Sequence, residues 1–223
     1  EQSVLVVASK AFSFAEGRFV PKITGEKSEK HELVKQEAEY YLEPSNSRYN
    51  MMFAIKGNWM FVNAGIDESN SDNCYTLWPK NPQESVNKLW HFLRKQYQVQ
   101  KLGVIMTDSK SFPLNWGVIG HGVAHCGFAA LKDYRGTEDL YGRKLQMEQL
   151  NLAQSLAVAG CMEMGEGNER QPCALITEIT QDITWQDHEP TQAELAALHI
   201  ELKDDAYAPM ISSVPWIKGG RGQ

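Results

Sequence analysis

Asn63–Asn70 (NAGIDESN) is the segment of this chain whose residue types are best suited to chemistry. It concentrates side chains with oxygen or nitrogen donors directly after a predicted strand, Trp59–Asn63. Those side chains are Asn63, Asp67, Glu68, Ser69 and Asn70. Such a loop suits a metal ion, a phosphate or a sugar, and the alternative is a solvated turn held by Asx hydrogen bonds.

A second candidate is the carboxylate of Asp108, in the sequence Thr107-Asp108-Ser109. It follows the apolar run Leu102–Met106, which predicts a buried strand. Residues at strand ends often bind ligands because the rigid sheet fixes them in place. A carboxylate there suits Mg²⁺ or Mn²⁺, which prefer oxygen ligands, and a turn cap is the alternative.

A third candidate is the pair His121 and His125, which are four residues apart and would share one face of a strand. Without a third ligand nearby, this pattern favours packing histidines over a metal site. Downstream, the charged loops Asp133–Gly136 and Asp139–Arg143 carry Arg135 and Arg143. These arginines would either grip an anion or close the loops on themselves by ion pairs.

Composition limits the function classes. The chain has 223 residues and a net charge of −6, so clustered basic binding of nucleic acid is not expected. No apolar run is long enough to cross a membrane, and no signal peptide is predicted. The four cysteines form no CxxC pair, which predicts buried free thiols and a cytoplasmic protein.

Hydrophobic patterning predicts the elements that position these residues. The predicted strands are Ser3–Ser9, Arg18–Ile23, Met51–Lys56, Trp59–Asn63, Leu102–Met106, Val118–Ala130 and Cys173–Ile179. The predicted helices are Glu26–Tyr41, Pro82–Tyr97 (capped by Asn81 or Ser85), Met147–Met164 and Gln192–Leu198, with loops at Phe12–Gly17 and Asp67–Asn73. These elements mix without a strict βαβ rhythm, so the sequence predicts an α+β fold over a single domain, residues 1–223.

Several motifs in this order resemble one family. They are Leu5–Lys10 followed by Ala15–Arg18 (AEGR), Asn63–Asn70, Leu77-Trp78-Pro79, Val104–Ser109, Asp133–Gly136 with Asp139, Gly142 and Arg143, and Met164-Gly165-Glu166. The chain is identified as a divergent member of the coenzyme F-420-0:L-glutamate ligase family. The resemblance extends to about Glu178, and residues 180–223 match only weakly. The family's first N-terminal strand region is expected to be absent or not included.

The resemblance implies an intertwined homodimer with an α+β fold. It implies a ligase that uses GTP with Mg²⁺ or Mn²⁺ to join L-glutamate to a carboxylate of a deazaflavin or folate-like substrate through an acyl phosphate. Ser9 and Lys10 would bind nucleotide, and Asp108 would bind the metal. The implied substrate or phosphate loops contain Asn63, Asp67, Glu68, Ser69, Asn70, Arg135 and Arg143.

The sequence departs from the family where cations and metal ligands are expected. Phe14 replaces a lysine, and Phe112 replaces the arginine of a Gly-Arg-Pro. Gln154 and Ser155 replace adjacent acidic metal ligands, and Thr177-Glu178 replaces an Arg-Gly. Three hypotheses follow: a glutamate or other amino-acid ligase, a non-catalytic homologue that binds a small molecule or a protein, and a His121/His125 metalloenzyme.

Overall fold

The computed structural model describes residues 1–57 and 59–221 of the chain. The chain forms two compact units. Unit 1 contains Glu1–Ala8, Asn81–Ser109 and Ile119–Leu198. Unit 2 contains Ser9–Lys80, Lys110–Val118 and His199–Gln223. No helix in the described part of the chain is both long and apolar enough to span a membrane.

Twelve β-strands and six α-helices lie within the described residues. The strands are β1 (Ser3–Ala8), β2 (Phe19–Pro21), β3 (Tyr40–Tyr41), β4 (Phe53–Lys56), β5 (Trp59–Val62), β6 (Cys74–Thr76), β7 (Leu102–Ser111), β8 (Val118–Cys126), β9 (Leu131–Asp133), β10 (Gln149–Asn151), β11 (Cys173–Ile176) and β12 (Ile217–Lys218). The helices are α1 (Ser9–Ala15), α2 (Lys27–Glu37), α3 (Pro82–Tyr97), α4 (Leu152–Met164), α5 (Gln192–Ala196) and α6 (Ala208–Ile211).

Unit 1 is built on a four-stranded mixed sheet in the order β11-β1-β7-β8. Strand β1 runs parallel to β7 and antiparallel to β11. The apolar run of β1 is buried on both faces, with Val4 and Val6 fully buried on one face and Val7 9% exposed on the other. The α+β class predicted from the sequence is therefore confirmed in its mixture of helices with parallel and antiparallel strands.

Small residues let α4 pack closely on this sheet. A Cβ atom added to Gly160 would lie 2.5 Å from Cβ of Val6, and one added to Gly120 would lie 2.5 Å from Cβ of Cys161. The prediction that Val118–Ala130 contains a closely packed glycine-rich strand is confirmed, although β8 ends at Cys126. The small-residue face of α4 contacts the sheet.

Helix α3 has the bounds predicted from its amphipathic pattern. Asn81 caps it, since the Asn81 side chain accepts a hydrogen bond from the Glu84 backbone N–H at 3.3 Å. Pro82 follows at the first helical position, where a proline costs no helical hydrogen bond. Trp90 is fully buried and donates through Nε1 to the Leu102 carbonyl oxygen at 2.8 Å.

Unit 2 contains a four-stranded sheet in the order β12-β3-β4-β5 and a two-stranded sheet of β2 and β6. Strands β4 and β5 pair antiparallel with Lys56 opposite Trp59, which confirms the predicted hairpin. Of its two predicted turn residues, Asn58 lies outside the described residues. The core of this unit includes Val34, Met52 and Tyr75.

Several sequence predictions differ from the structure. The predicted helix Glu26–Tyr41 ends at Glu37, because Tyr40–Tyr41 instead forms β3 and pairs with β4. The predicted strand Leu102–Met106 continues to Ser111 as β7.

The predicted loop Phe12–Gly17 overlaps α1, whose Phe12 and Ser13 are buried. The predicted helix Met147–Met164 begins only at Leu152, because Gln149–Asn151 instead forms β10 and pairs with β9. The cysteines are free, but only Cys126 and Cys161 are buried, whereas Cys173 is exposed.

Candidate functional site

The first half of the NAGIDESN loop is a tight backbone turn in unit 2. Asn63, Ala64 and Gly65 all have left-handed backbone conformations, with φ of 55°, 50° and 72°. Asn63 Oδ1 accepts a hydrogen bond from the Met52 backbone N–H at 3.2 Å. A Cβ atom on Gly65 would lie 2.5 Å from Nε1 of Trp78, so only glycine fits there. This half of the loop therefore positions the acidic half.

The acidic half of the loop is tied to helix α1 through Lys10. Lys10 Nζ lies 2.7 Å from Asp67 Oδ2 and donates to the Ser69 carbonyl oxygen at 2.5 Å. Asp67 Oδ1 accepts from the Ser69 backbone N–H at 2.9 Å, which closes an Asx turn. The predicted nucleotide residue Lys10 and the predicted loop residues Asp67 and Ser69 thus meet in one cluster, and Ser9 is the buried first residue of α1.

The charge on Asp67 is stabilised by this cluster. Partial burial raises the pKa of the Asp67 carboxyl, but the hydrogen bonds from Lys10 and Ser69 outweigh burial and hold that pKa below its usual range. Lys10 therefore faces a carboxylate at neutral pH. An incoming phosphate or carboxylate would compete with Asp67 for the Lys10 ammonium.

Two further lysines bind the loop at Glu68. Lys22 Nζ lies 2.8 Å from Glu68 Oε2, and Lys30 Nζ lies 3.2 Å from Glu68 Oε1. Glu29 is a further acid near Lys22, so three ammonium groups face three carboxylates here and the cluster has no excess of positive charge. An anionic ligand would have to compete with these carboxylates for the lysines. Lys22 and Lys30 were not predicted as site residues, because Lys22 follows a short strand, Lys30 lies in a generally charged helix, and neither carries a local signal.

Arg18 of the AEGR motif is bound into unit 2. Its Nη2 lies 2.8 Å from Glu37 Oε1, and its Nε donates to the Trp78 carbonyl oxygen at 2.9 Å. Lys56 Nζ approaches the other carboxylate oxygen of Glu37 at 2.6 Å. Burial raises the pKa of the Glu37 carboxyl, but Lys56 and Arg18 outweigh it and lower that pKa. Burial also lowers the pKa of the Lys56 ammonium. Arg18 thus serves the scaffold.

Asp108 lies near the end of β7 in unit 1. Asp108 Oδ1 accepts a hydrogen bond from the Ser109 backbone N–H at 2.9 Å. The Ser109 hydroxyl donates to Glu166 Oε1 at 2.6 Å, and His121 Nδ1 lies 3.1 Å from the Asp108 carbonyl oxygen. Glu166 therefore contacts Ser109, the residue next to Asp108. Glu166 was part of a recognised motif but was not predicted as a site residue.

The α4 side chains do not fit a divalent cation. Gln154 Oε1 accepts from the Gly122 backbone N–H at 2.9 Å, and Gln154 Nε2 donates to the Gly122 carbonyl oxygen at 2.8 Å. The Ser155 hydroxyl donates to the Asn151 carbonyl oxygen at 3.0 Å. Neutral groups that are already hydrogen-bonded in this way are poor ligands for Mg²⁺. Gln154 is a clamp between α4 and β8.

His121 and His125 do not belong to a group of metal ligands in the described part of the chain. Across residues 1–57 and 59–221, no three His, Cys, Asp or Glu side chains form a group suited to a metal ion. His121 and His125 are both buried. Burial lowers the pKa of His125 to about 4, so its ring is neutral at pH 7. Burial also raises the pKa of the Cys161 thiol, which makes it a weak nucleophile.

The two predicted anion-binding arginines lie in the exposed loop between β9 and β10. Arg135 Nη2 lies 2.6 Å from Asp133 Oδ2, and Arg135 Nε donates to Asp133 Oδ1 at 2.9 Å. Hydrogen bonds from Arg135 lower the pKa of Asp133 to about 2. The Arg143 backbone N–H donates to Asp139 Oδ1 at 2.9 Å. The structure therefore shows the second of the two alternatives for Arg135, in which an ion pair closes the loop.

Most of the chain matches one known protein family. A model of the F420-0:Gamma-glutamyl ligase family matches residues 1–178. The chain belongs to this family. The matched range contains the Lys10–Asp67 cluster, Asp108 and Glu166, so each lies in a part of the chain with a family counterpart.

Several archaeal ligases are similar to the chain. The "Coenzyme F420:L-glutamate ligase" of Methanopyrus kandleri is 29% identical over 198 residues, which are 82% of this chain and 77% of the relative. The protein of the same name from Methanococcus maripaludis strain C6 is 30% identical, covering 79% and 75% of the two chains. That of Archaeoglobus fulgidus is 31% identical, covering 78% and 74%.

Within this F420-0:Gamma-glutamyl ligase family member, the Gln154 clamp can be tested by a change of one functional group. Gln154→Glu keeps the acceptor for the Gly122 N–H but loses the donor to the Gly122 carbonyl oxygen. We expect a loss of about 1–3 kcal/mol in the free energy of unfolding, because a buried acceptor loses its partner. Urea denaturation measures this loss.

The matched control is Ser155→Ala, which removes an exposed hydroxyl that donates to the carbonyl oxygen of Asn151, the N-cap residue of α4. Its unfolding free energy should stay within about 0.5 kcal/mol of the wild type. Equal stability of Gln154→Glu and the wild type would show that the hydrogen bond from Gln154 Nε2 to the Gly122 carbonyl oxygen contributes nothing.

Proposed function

We propose that this chain is a γ-glutamyl ligase that joins the amine of L-glutamate to a carboxylate of a second small molecule. The observation that carries the proposal is the family match over residues 1–178. The relatives are named coenzyme F420:L-glutamate ligases, and we propose that the second substrate of this chain is a carboxylate of a deazaflavin or a folate-like molecule. We place the reaction in the cytoplasm.

The chemistry needs an activated carboxylate, because an amine does not displace oxide from a carboxylate ion. We propose that the substrate carboxylate attacks the γ-phosphorus of GTP and expels GDP, which forms an acyl phosphate. The neutral glutamate amine then attacks the acyl carbon, expels phosphate and loses a proton to give the amide. Negative charge develops on the transferring phosphoryl group, and fixed cations stabilise it. Lys10, beside Ser9 at the start of α1, is the cation we propose for this role.

The remaining predicted site residues have proposed roles in the same reaction. Asn63, Asp67, Glu68, Ser69 and Asn70 of unit 2 form the loop that we propose for the anionic substrate. Of the two predicted arginines in unit 1, Arg135 is already paired with Asp133, so only Arg143 is proposed as a further anion contact. If a Mg²⁺ or Mn²⁺ ion accompanies the nucleotide, Asp108 is the carboxylate of unit 1 that we propose would hold it. One carboxylate with phosphates and water suffices for one such ion, and Gln154 and Ser155 supply no second site.

We also propose that the protein is a homodimer. Leu114 and Trp116 in unit 2, and Leu140 and Tyr141 in unit 1, are each at least 94% exposed. Large apolar side chains exposed at adjacent positions mark surfaces that a partner covers. Light scattering coupled to size exclusion should give twice the chain mass, and a single-chain mass at micromolar concentration would refute the dimer.

A second candidate function is a non-catalytic homologue that binds a small molecule or a protein. The observation that favours it concerns Gln154, which stands where the resemblance implies an acidic metal ligand. Its side chain instead forms two hydrogen bonds to the Gly122 backbone. Phe14, where a lysine was expected, is 48% exposed and cannot neutralise a phosphate.

Thermal melting with GTP or ATP and Mn²⁺ separates the two functions. A ligand that binds only the native state stabilises it, by about 2.7 kcal/mol at 100 times the dissociation constant. We expect a higher melting temperature with GTP and Mn²⁺ and no change with guanosine, which lacks phosphates. An unchanged melting temperature at millimolar GTP and ATP would contradict the ligase and favour the non-catalytic homologue.

A further inference from the structure

Lys110 is a cation held between two aromatic rings in unit 2. Its Nζ lies 4.6 Å from the centroid of the Trp59 ring and 4.8 Å from the centroid of the Phe112 ring. Trp59 opens β5, and Phe112 directly follows β7. Phe112 is 42% exposed and Lys110 is only partly buried, so this cradle lies at the protein surface, where a ligand can approach from solvent.

Lys110 differs from the other half-buried lysines of unit 2 in its partners. Lys10, Lys22, Lys30 and Lys56 each form an ion pair with an aspartate or glutamate. Within residues 1–57 and 59–221, no carboxylate lies within ion-pair distance of Lys110. Burial lowers the pKa of the Lys110 ammonium, and no acidic group opposes that shift.

Aromatic faces replace only part of the hydration that this ammonium loses. A ring attracts a cation through its quadrupole, and the attraction is weaker than that of an anion at contact distance. An anionic group that reached Lys110 from the open side would meet a partly dehydrated cation, where a charge-assisted hydrogen bond is stronger than at an exposed lysine. The strong interaction that Lys110 could form with an anion is therefore not formed within the described part of the chain.

We propose that Lys110, framed by Trp59 and Phe112, binds an anionic group of a ligand, either a phosphate or a carboxylate. This inference rests on the proposed ligase function, because both of its substrates and its nucleotide carry such groups. It also gives Phe112 a role beside Lys110, although the family resemblance implies an arginine at position 112. Lys110 supplies a positive charge two residues before this position, and the ring of Phe112 flanks that charge.

The test compares anion binding by Lys110→Met and Lys110→Arg with that of the wild type. The probes are tripolyphosphate and L-glutamate, each titrated calorimetrically into the full chain. We expect Lys110→Met to weaken one probe at least tenfold and Lys110→Arg to stay within threefold. A loss for tripolyphosphate assigns the cradle to phosphate, and a loss for L-glutamate assigns it to a carboxylate.

The matched control is Lys80→Met, an exposed lysine of unit 2 that the proposed site does not use. It should bind both probes like the wild type. If Lys110→Met does not fold, Lys110→Gln provides the same loss of charge in a polar side chain, and its ligand-free melting temperature checks the fold.

The possible failures are distinguishable. If the wild type binds a probe and Lys110→Met binds it equally well, Lys110 only packs on the rings, and the inference is overturned while the ligase proposal stands. If the wild type binds neither probe and GTP with Mn²⁺ also fails to raise its melting temperature, the proposed function falls and the inference falls with it.

Discussion

Replacing Asp108 by asparagine is expected to lower the rate of amide-bond formation by about 100-fold or more. A metal ion that polarises phosphoryl oxygens contributes several kcal/mol to a transition state, and each 1.36 kcal/mol is a factor of ten in rate. A neutral amide is a weaker ligand for Mg²⁺ or Mn²⁺ than a carboxylate. Asparagine keeps the size of the side chain and its oxygen acceptor for the Ser109 N–H, so the fold should survive.

The measurement is GTP-dependent ligation of L-glutamate at several Mn²⁺ concentrations. Asp108→Asn should need more Mn²⁺ for half-maximal rate. Asp182→Asn, which neutralises an exposed carboxylate in a loop of the same unit, is the matched control and should behave like the wild type. A rate for Asp108→Asn within threefold of the wild type at every Mn²⁺ concentration would place the metal-binding residue elsewhere.

The elements that could be predicted from the sequence are those whose signal is local. Helix α3 has a full apolar stripe, and an Asn-Pro cap begins it, so both its type and its bounds follow from the pattern. Strand β1 is a short run of β-branched residues, and the β4–β5 hairpin has glycine in its turn. In each, local propensity and tertiary packing favour the same structure.

The elements that could not be predicted depend on distant partners. Helix α1 has seven residues and no periodic stripe, and it is stabilised by burying Phe12 and Ser13 in unit 2. A helix this short is marginal without tertiary packing. Likewise, Gln149–Asn151 continues a helical pattern but pairs with Leu131–Asp133, and a sequence pattern does not reveal a strand partner.

The same limit applies to the candidate site. The sequence singled out Lys10 and Asp67 as chemically apt, but their direct contact spans 57 positions of the chain and was not predicted. The lysines that bind Glu68 and the rings that frame Lys110 were missed for the same reason. Composition identifies which groups are suited to chemistry, and only the fold shows which of them are already neutralised.

Glu37→Gln is expected to destabilise the protein by about 3–5 kcal/mol, because it removes the carboxylate that two cations share in the interior of unit 2. Glu37 is 7% exposed, and Arg18 and Lys56 lie 2.8 and 2.6 Å from its two oxygens. Glutamine preserves the shape but removes the one carboxylate in the described part of the chain that forms an ion pair with Arg18 or Lys56. Urea unfolding at pH 7 measures the effect.

The control is Glu32→Gln, which removes the exposed partner of Lys35 in the same helix. A surface pair of this kind contributes at most about 1 kcal/mol, so Glu32→Gln should stay near the wild type. A loss for Glu37→Gln no larger than that of Glu32→Gln would show that the two cations can reach water, and Arg18 would then be available to bind a ligand.

The pH dependence of the same variant gives a second measurement. The pKa of Glu37 in the folded protein lies below its unfolded value of about 4.3. The stability it contributes is therefore present above that pH and is lost as the pH falls through the folded pKa. The difference in unfolding free energy between the wild type and Glu37→Gln should shrink below pH 4.3 and be constant from pH 6 to 8. A difference that persisted unchanged into acid would mean that lost packing, and not lost charge, causes the destabilisation.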